Sequence, residues 1–136
     1  MNKISLTILL CGLTAAAPAL AGDPAAGEKG FNKCKACHSI TAADGTAIIK
    51  GGKTGPNLFG VIGRAAGSEE GFNYGAGLKE LGGTGLVWDE ATLVAYVTDP
   101  TAFVKEKTGD AAAKSNMTFK LPKGGEDIAA YLATQK

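Results

Sequence analysis

Two cysteines and the only histidine of the chain lie within five residues, in the segment Cys34-Lys35-Ala36-Cys37-His38. The C-x-x-C-H spacing is typical of covalent c-type haem attachment. Two thiols at this spacing can bond to the two vinyl groups on one edge of a porphyrin, while the adjacent histidine lies under the iron. The segment therefore predicts one haem per chain, attached through two thioethers.

Other chemistries also use these residue types. A C-x-x-C pair can form a redox-active disulfide of the thioredoxin kind, but that site belongs to a βαβ context, and no alternating strand pattern is present. A zinc site built from Cys34, Cys37 and His38 would lack an obvious fourth ligand. A purely structural disulfide would leave the long glycine-rich region that follows without a core.

Met117 is the only methionine besides Met1. Methionine and histidine together are the axial ligands that raise the haem potential in electron-carrying proteins. Met117 lies in the polar segment AAAKSNMTFKLP, which predicts a loop from which the side chain reaches inward. We therefore expect His38 and Met117 to ligate the iron, the alternative being that Met117 fills a gap in the core.

Residues 1–21 have the pattern of a signal peptide, with Lys3 near the start, an apolar run and the small-residue ending Ala19-Leu20-Ala21. We expect cleavage after Ala21 and export to the periplasm. A membrane anchor would need roughly 20 consecutive apolar residues, and this run is diluted. A lipoprotein site at Cys11 is disfavoured because a leucine precedes it.

Residues 22–136 then form one domain with 13 basic and 13 acidic residues, because Lys3 is the only charged side chain removed with the leader. A zero net charge argues against a nucleic-acid binder, which needs a large positive excess.

Helical signals dominate this domain. Capping residues and apolar spacing predict a helix over 23–38 that runs into the cysteines, a helix over 89–99, a short helix over 100–109 and a last helix over 126–136. Residues 39–87 are rich in glycine and predict loops. The sequence thus predicts an all-α fold. A buried flat cofactor would fill the apolar volume that so few large side chains leave empty.

Six segments and Trp88 resemble the class I c-type cytochromes, closest to the long form of bacterial cytochrome c2: CKACH, KTGPNLFGVIGR, GFNY, AYVTDP, NMTFKL and EDIAAYL. The resemblance spans nearly all of residues 22–136. It implies short helices wrapped around a buried haem, with the first and last helices crossing. The crossing would bring together Gly27, Phe31, Ile128 and Tyr131.

The same resemblance implies roles for four further residues. The carbonyl of Pro56 would accept the Nδ1 proton of His38, the alternative being an ordinary turn proline. Arg64, Tyr74 and Trp88 would hydrogen-bond the haem propionates, the alternative for the two aromatics being plain core packing.

The methionine segment is less defined. Tyr96 would lie near the Met117 sulfur, with plain helix packing as the alternative. The chain is longer than mitochondrial relatives between His38 and Pro56 and again before Met117, and the sequence leaves open whether Ser115 or Asn116 supports the methionine loop.

The resemblance implies a soluble periplasmic monomer that carries single electrons from a membrane cytochrome bc complex to a photosynthetic reaction centre or a terminal oxidase. The competing class is a haem enzyme or gas sensor with an exchangeable iron position. That class requires a distal acid-base residue, and the chain has no second histidine.

Charge is unevenly distributed along the chain. Residues 29–53 and 102–123, which carry the expected ligands, hold ten lysines and three acids, whereas residues 54–101 hold six acids and two basic residues. We expect the lysines to ring the haem edge and to steer transient docking on acidic partners, the alternative being a solvated surface of mixed charge. The ten are Lys29, Lys33, Lys35, Lys50, Lys53, Lys105, Lys107, Lys114, Lys120 and Lys123.

Overall fold

The computed structural model describes residues 22–136, so the predicted leader lies outside the described residues. Within this range the chain forms five α-helices and one two-stranded antiparallel hairpin, and none of the helices is long and apolar enough to cross a membrane. The elements in chain order are α1 (Pro24–Gly30), β1 (Ile40–Thr41), β2 (Ala47–Ile49), α2 (Ala76–Gly83), α3 (Glu90–Thr98), α4 (Pro100–Thr108) and α5 (Gly125–Ala133).

The first and last helices cross in close contact, as expected. A Cβ added at Gly27 would collide with the carbonyl oxygen of Asp127 in α5, so only glycine lets the two backbones approach this closely. Beside the crossing, the rings of Phe31 and Tyr131 lie 6.1 Å apart between centroids. This crossing joins the two ends of the domain into one core.

α1 is shorter than predicted. It begins at Pro24 behind the Asp23 cap but ends at Gly30, and residues Phe31–Lys33 form a 3₁₀ turn. Glycine has a low helical propensity, and 3₁₀ turns are common where α-helices end. The tighter turn continues into the cysteine segment, where the Cys37 amide bonds the carbonyl of Cys34 at 3.1 Å.

α2 was not predicted, because glycines occupy three of its eight positions. It forms where Leu78 and Leu81 are buried in the core. A Cβ at Gly77 would collide with the carbonyl oxygen of Lys114, so the small residue allows α2 to pack on the segment that leads to Met117. Tertiary packing therefore stabilises a helix whose own propensity is poor.

The predicted capping signals of α3 and α4 are confirmed. The Asp89 carboxylate accepts from the amide of Thr92, and the Thr92 hydroxyl accepts from the amide of Asp89, which completes a capping box. Asp99 ends α3 and caps α4 at once, and Gly109 ends α4 in the left-handed conformation with φ of 72°.

The hairpin of β1 and β2 was also not predicted. Its strands are two and three residues long, too short to show an alternating pattern. The Asn57 side chain fastens the hairpin to the rest of the domain by bonding both the amide and the carbonyl of Thr41, at 2.9 and 2.8 Å.

Candidate functional site

A largely apolar cavity of about 500 Å³ lies inside the domain. Its walls come from residues 33–38, 54–64, 72–78, 88–97, 115–119 and 125–132, so the glycine-rich region does wrap an internal space. The volume lies within the range typical of cofactor sites. All eight residues proposed from the sequence line this cavity: Cys34, Cys37, His38, Pro56, Arg64, Tyr74, Trp88 and Met117.

The cysteine segment forms one end of the cavity. Cys34 is half-buried and Cys37 is exposed, and the two thiols are not joined in a disulfide. Burial raises the pKa of the Cys34 thiol from its ordinary value, opposed by the charge of Lys33. Both cysteines line the same cavity, as two bonds to one flat ring require.

His38 is held in one tautomer. Its Nδ1 lies 2.8 Å from the carbonyl oxygen of Pro56. Because a carbonyl can only accept, Nδ1 carries the proton and the neutral ring keeps its lone pair on Nε2. Burial lowers the pKa of His38, the Pro56 bond opposes this, and the charge of Arg64 lowers it further. A neutral imidazole with a free Nε2 is the form that binds a metal.

Three glycines after the hairpin pack directly on this segment. A Cβ at Gly55 would collide with the His38 ring, one at Gly51 with the His38 carbonyl oxygen, and one at Gly52 with the carbonyl oxygen of Ala36. In the sequence these glycines indicate only loops. Their clustering in KGGKTG was the available signal, since a run of glycines marks close backbone approach as well as turns.

The Met117 segment is anchored by Ser115 and not by Asn116. The buried Ser115 hydroxyl, 6% exposed, shares a 2.7 Å hydrogen bond with the Tyr96 hydroxyl and accepts from the Met117 amide at 3.1 Å. Asn116 is exposed and lies beside Gly75. Burial raises the pKa of Tyr96, and the bond to Ser115 opposes this. The hydroxyl pair thus connects α3 to the backbone of Met117.

Arg64 and Tyr74 meet at a residue that the sequence did not single out, Glu69. The Arg64 guanidinium forms an ion pair with the Glu69 carboxylate and donates to the carbonyl of Asn57 at 3.0 Å. The Glu69 amide donates to the Tyr74 hydroxyl at 3.1 Å. The sequence offered no periodic or motif signal for Glu69, because its partners are set by the path of the loop.

Trp88 is buried against other aromatic rings. Its ring centroid lies 5.1 Å from that of Tyr96 and 6.0 Å from that of Phe103. Trp88 therefore serves both as a core residue and as part of the cavity wall.

The residues present fit a covalently held haem. Cys34, Cys37, His38 and Met117 line one apolar cavity, and two thiols, an imidazole and a thioether are the bonding groups and axial ligands of c-type haem. A zinc site fits less well, because residues 22–136 contain no cluster of three or more His, Cys, Asp or Glu that could hold an ion.

Known proteins resemble this chain closely in sequence. Cytochrome c2 of Rhodobacter capsulatus is 59% identical over 133 residues, which cover 97% of each protein. Cytochrome c-550 of Paracoccus versutus is 57% identical over 135 residues, covering 96% of this chain and 88% of the relative. No family model matches the chain.

Solved structures of such cytochromes resemble this chain as closely as the sequences do. The structure of Rhodobacter capsulatus cytochrome c2 has a TM-score of 0.81 at 59% identity and covers 83% of this chain and 97% of its own. That of cytochrome c2 from Paracoccus denitrificans has a TM-score of 0.82 at 57% identity, covering 84% and 96%. These likenesses confirm the expected fold and the haem c cofactor. The chain belongs to the class I c-type cytochromes of the cytochrome c2 and c-550 kind, which are electron carriers.

Proposed function

We propose that this protein is a periplasmic shuttle that takes single electrons from a membrane cytochrome bc complex and delivers them to a photosynthetic reaction centre or a terminal oxidase. The observation that carries the proposal is the one apolar cavity bordered by Cys34, Cys37, His38 and Met117. When bound there, haem c supplies the one-electron chemistry, and the protein itself transforms no substrate.

Cys34 and Cys37 would hold the haem through two thioether bonds, and His38 and Met117 would ligate its iron. The contact between His38 and Pro56 supports the first axial role, because it fixes the ring and leaves Nε2 free. The anchored Met117 backbone supports the second. With His38 and Met117 both bound to the iron, no position would remain open for oxygen or peroxide. Carbon monoxide should accordingly fail to bind the reduced protein at neutral pH, and rapid binding would favour the enzyme or gas-sensor class.

Arg64, Tyr74 and Trp88 hold the haem propionates. All three line the cavity, and the Arg64 side chain is only 15% exposed. The Tyr74 oxygen accepts from Glu69, so its own O–H remains to donate, and the indole N–H of Trp88 is a donor by nature. Donors at this wall offset the cost of placing carboxylates away from water.

Export depends on residues 1–21, and the mature protein begins at Gly22. The mass of the protein isolated from the periplasm tests both this start and the thioethers. We expect residues 22–136 plus one haem that acidified organic solvent does not extract. Extractable haem would contradict the attachment through Cys34 and Cys37.

Electrostatic steering brings the haem edge to its partners. All ten lysines of the two basic segments are exposed, and Lys33 lies at the cavity beside Cys34. Within residues 22–136, two of the ten form ion pairs, Lys107 with Glu106 and Lys120 with Asp99. Lys33 is therefore a cleaner probe of docking than Lys120.

A stopped-flow experiment tests the proposal. The oxidised protein is mixed with isolated, reduced bc complex, and the rate of electron transfer between them is measured. We expect the bimolecular rate to fall steeply as added salt shortens the screening length from about 30 Å at 0.01 M to about 10 Å at 0.1 M. Lys33→Glu should slow the reaction at low salt, and the charge reversal Glu90→Lys on α3 should change it little. Equal effects of the two variants, or rates indifferent to salt, would contradict the docking face.

A further inference from the structure

Arg64 is a fixed positive charge in the cavity wall. Its guanidinium donates to the carbonyls of Asn57 and Phe59 at 3.0 and 3.3 Å. Asn57 directly follows Pro56, whose carbonyl holds His38. The guanidinium therefore braces the backbone that orients the proposed axial histidine, and its charge lies in the wall of the same cavity that His38 lines.

Glu69 supplies the opposite charge. Its side chain, 23% exposed, pairs with the Arg64 guanidinium, and its amide is bonded to the Tyr74 hydroxyl. Glu69 is thus held at two points, by the ion pair of its side chain and by the hydrogen bond of its amide. The neighbouring Glu70 is exposed and takes part in none of the ion pairs found within residues 22–136. Two adjacent acids of equal charge therefore differ in whether they are coupled to the cavity wall.

We propose that Glu69 is a positioning residue that aligns Arg64 and, through it, sets the reduction potential of the haem. The inference rests on the proposed haem site and goes beyond it. The oxidised iron centre carries one more positive charge than the reduced one, so a nearby guanidinium favours reduction more strongly when less negative charge offsets it. The Glu69 carboxylate offsets that effect, and the partial burial of the pair preserves its field against screening by water and salt.

The test compares Glu69→Gln with the matched control Glu70→Gln in the haem-loaded protein, by spectroelectrochemical titration. Glutamine keeps the size and an accepting oxygen but removes the charge. We expect Glu69→Gln to raise the equilibrium constant for reduction about threefold to tenfold, where tenfold corresponds to 59 mV for one electron. Glu70→Gln should change it less than about twofold, because an exposed carboxylate is screened.

A third variant separates charge from packing. Glu69→Asp keeps the charge but shortens the side chain. Its reduction potential should therefore shift less from that of the unaltered protein than the potential of Glu69→Gln, even if the variant is less stable. Equal shifts in Glu69→Gln and Glu70→Gln, no shift in Glu69→Gln, or an equal shift in Glu69→Asp would overturn the role of Glu69. Covalent haem content is measured first by mass. Its absence from the unaltered protein would contradict the haem site itself, whereas full haem content with unmoved potentials would overturn only this inference.

Discussion

Removing the Ser115 hydroxyl should loosen the segment that carries Met117. The substitution Ser115→Ala deletes the bonds to the Tyr96 hydroxyl and to the Met117 amide, 2.7 and 3.1 Å long. Each hydrogen bond contributes roughly 0.5–1.5 kcal/mol net. The expected loss is therefore about 2 kcal/mol, which would raise the population of the opened methionine segment about thirtyfold.

The assay is a denaturant titration of the oxidised protein followed by two signals. The methionine-to-iron charge-transfer band reports the Met117 bond, and far-ultraviolet circular dichroism reports the helices. In Ser115→Ala the band should vanish at clearly lower denaturant than the helical signal. Asn116→Ala is the matched control, because Asn116 is exposed, and should stay within about 0.5 kcal/mol of the unaltered protein.

A double-mutant cycle with Tyr96→Phe isolates the hydroxyl pair. Tyr96→Phe removes one partner but leaves the Ser115 hydroxyl to accept from Met117, so it should cost less than Ser115→Ala, about 1 kcal/mol. The two changes should couple, because they remove the same bond. Strict additivity, or an Asn116→Ala effect as large as that of Ser115→Ala, would refute the assignment of Ser115 as the anchor.

Three further predictions concern the ligand, the helix crossing and an acid. Met117→Ala should keep the covalent haem but abolish the charge-transfer band and lower the potential, because the thioether raises it; an unchanged band would reveal a different ligand. Gly27→Ala should lower the free energy of unfolding by roughly 1–3 kcal/mol, since the new Cβ collides with α5, whereas Gly83→Ala, which has open space around it, should not destabilise. The pKa of Asp99 lies below its usual value, chiefly because of the hydrogen bond from the Lys120 side chain and next because of the capping bond from the Ala102 amide. That stabilisation is present above the unfolded-state pKa of about 3.9 and is lost as pH falls below it. The melting temperature of Asp99→Asn should thus lie below that of the unaltered protein at neutral pH and approach it in acid. A constant difference at every pH would contradict the linkage.

The chemistry of this protein could be predicted from the sequence because it depends on short-range spacing. The two thiols within CKACH can reach one porphyrin edge, and the adjacent imidazole can lie under the iron, wherever the rest of the chain runs. Met117 is the only methionine after the predicted leader, which leaves little choice of thioether ligand. The ends of α3 and α4 were predictable for the same reason, since Asp89, Asp99 and Gly109 act on backbone groups within four residues of themselves.

Other features depend on which distant segments meet. α2 contains too many glycines to be predicted, yet Gly77 is what lets it pack on the backbone of Lys114. Glu69 lacks any motif and acquires its role only when the loop brings it to Arg64.

The choice of Ser115 over Asn116 was likewise open in the sequence, because both side chains can accept a hydrogen bond. Burial decided it: the buried Ser115 hydroxyl bonds Tyr96 across 19 residues of sequence, while Asn116 is exposed at the rim of the cavity beside Gly75. Local geometry is encoded in neighbouring residues, whereas the partner of a buried polar group is determined by the packing of the whole chain around the cavity.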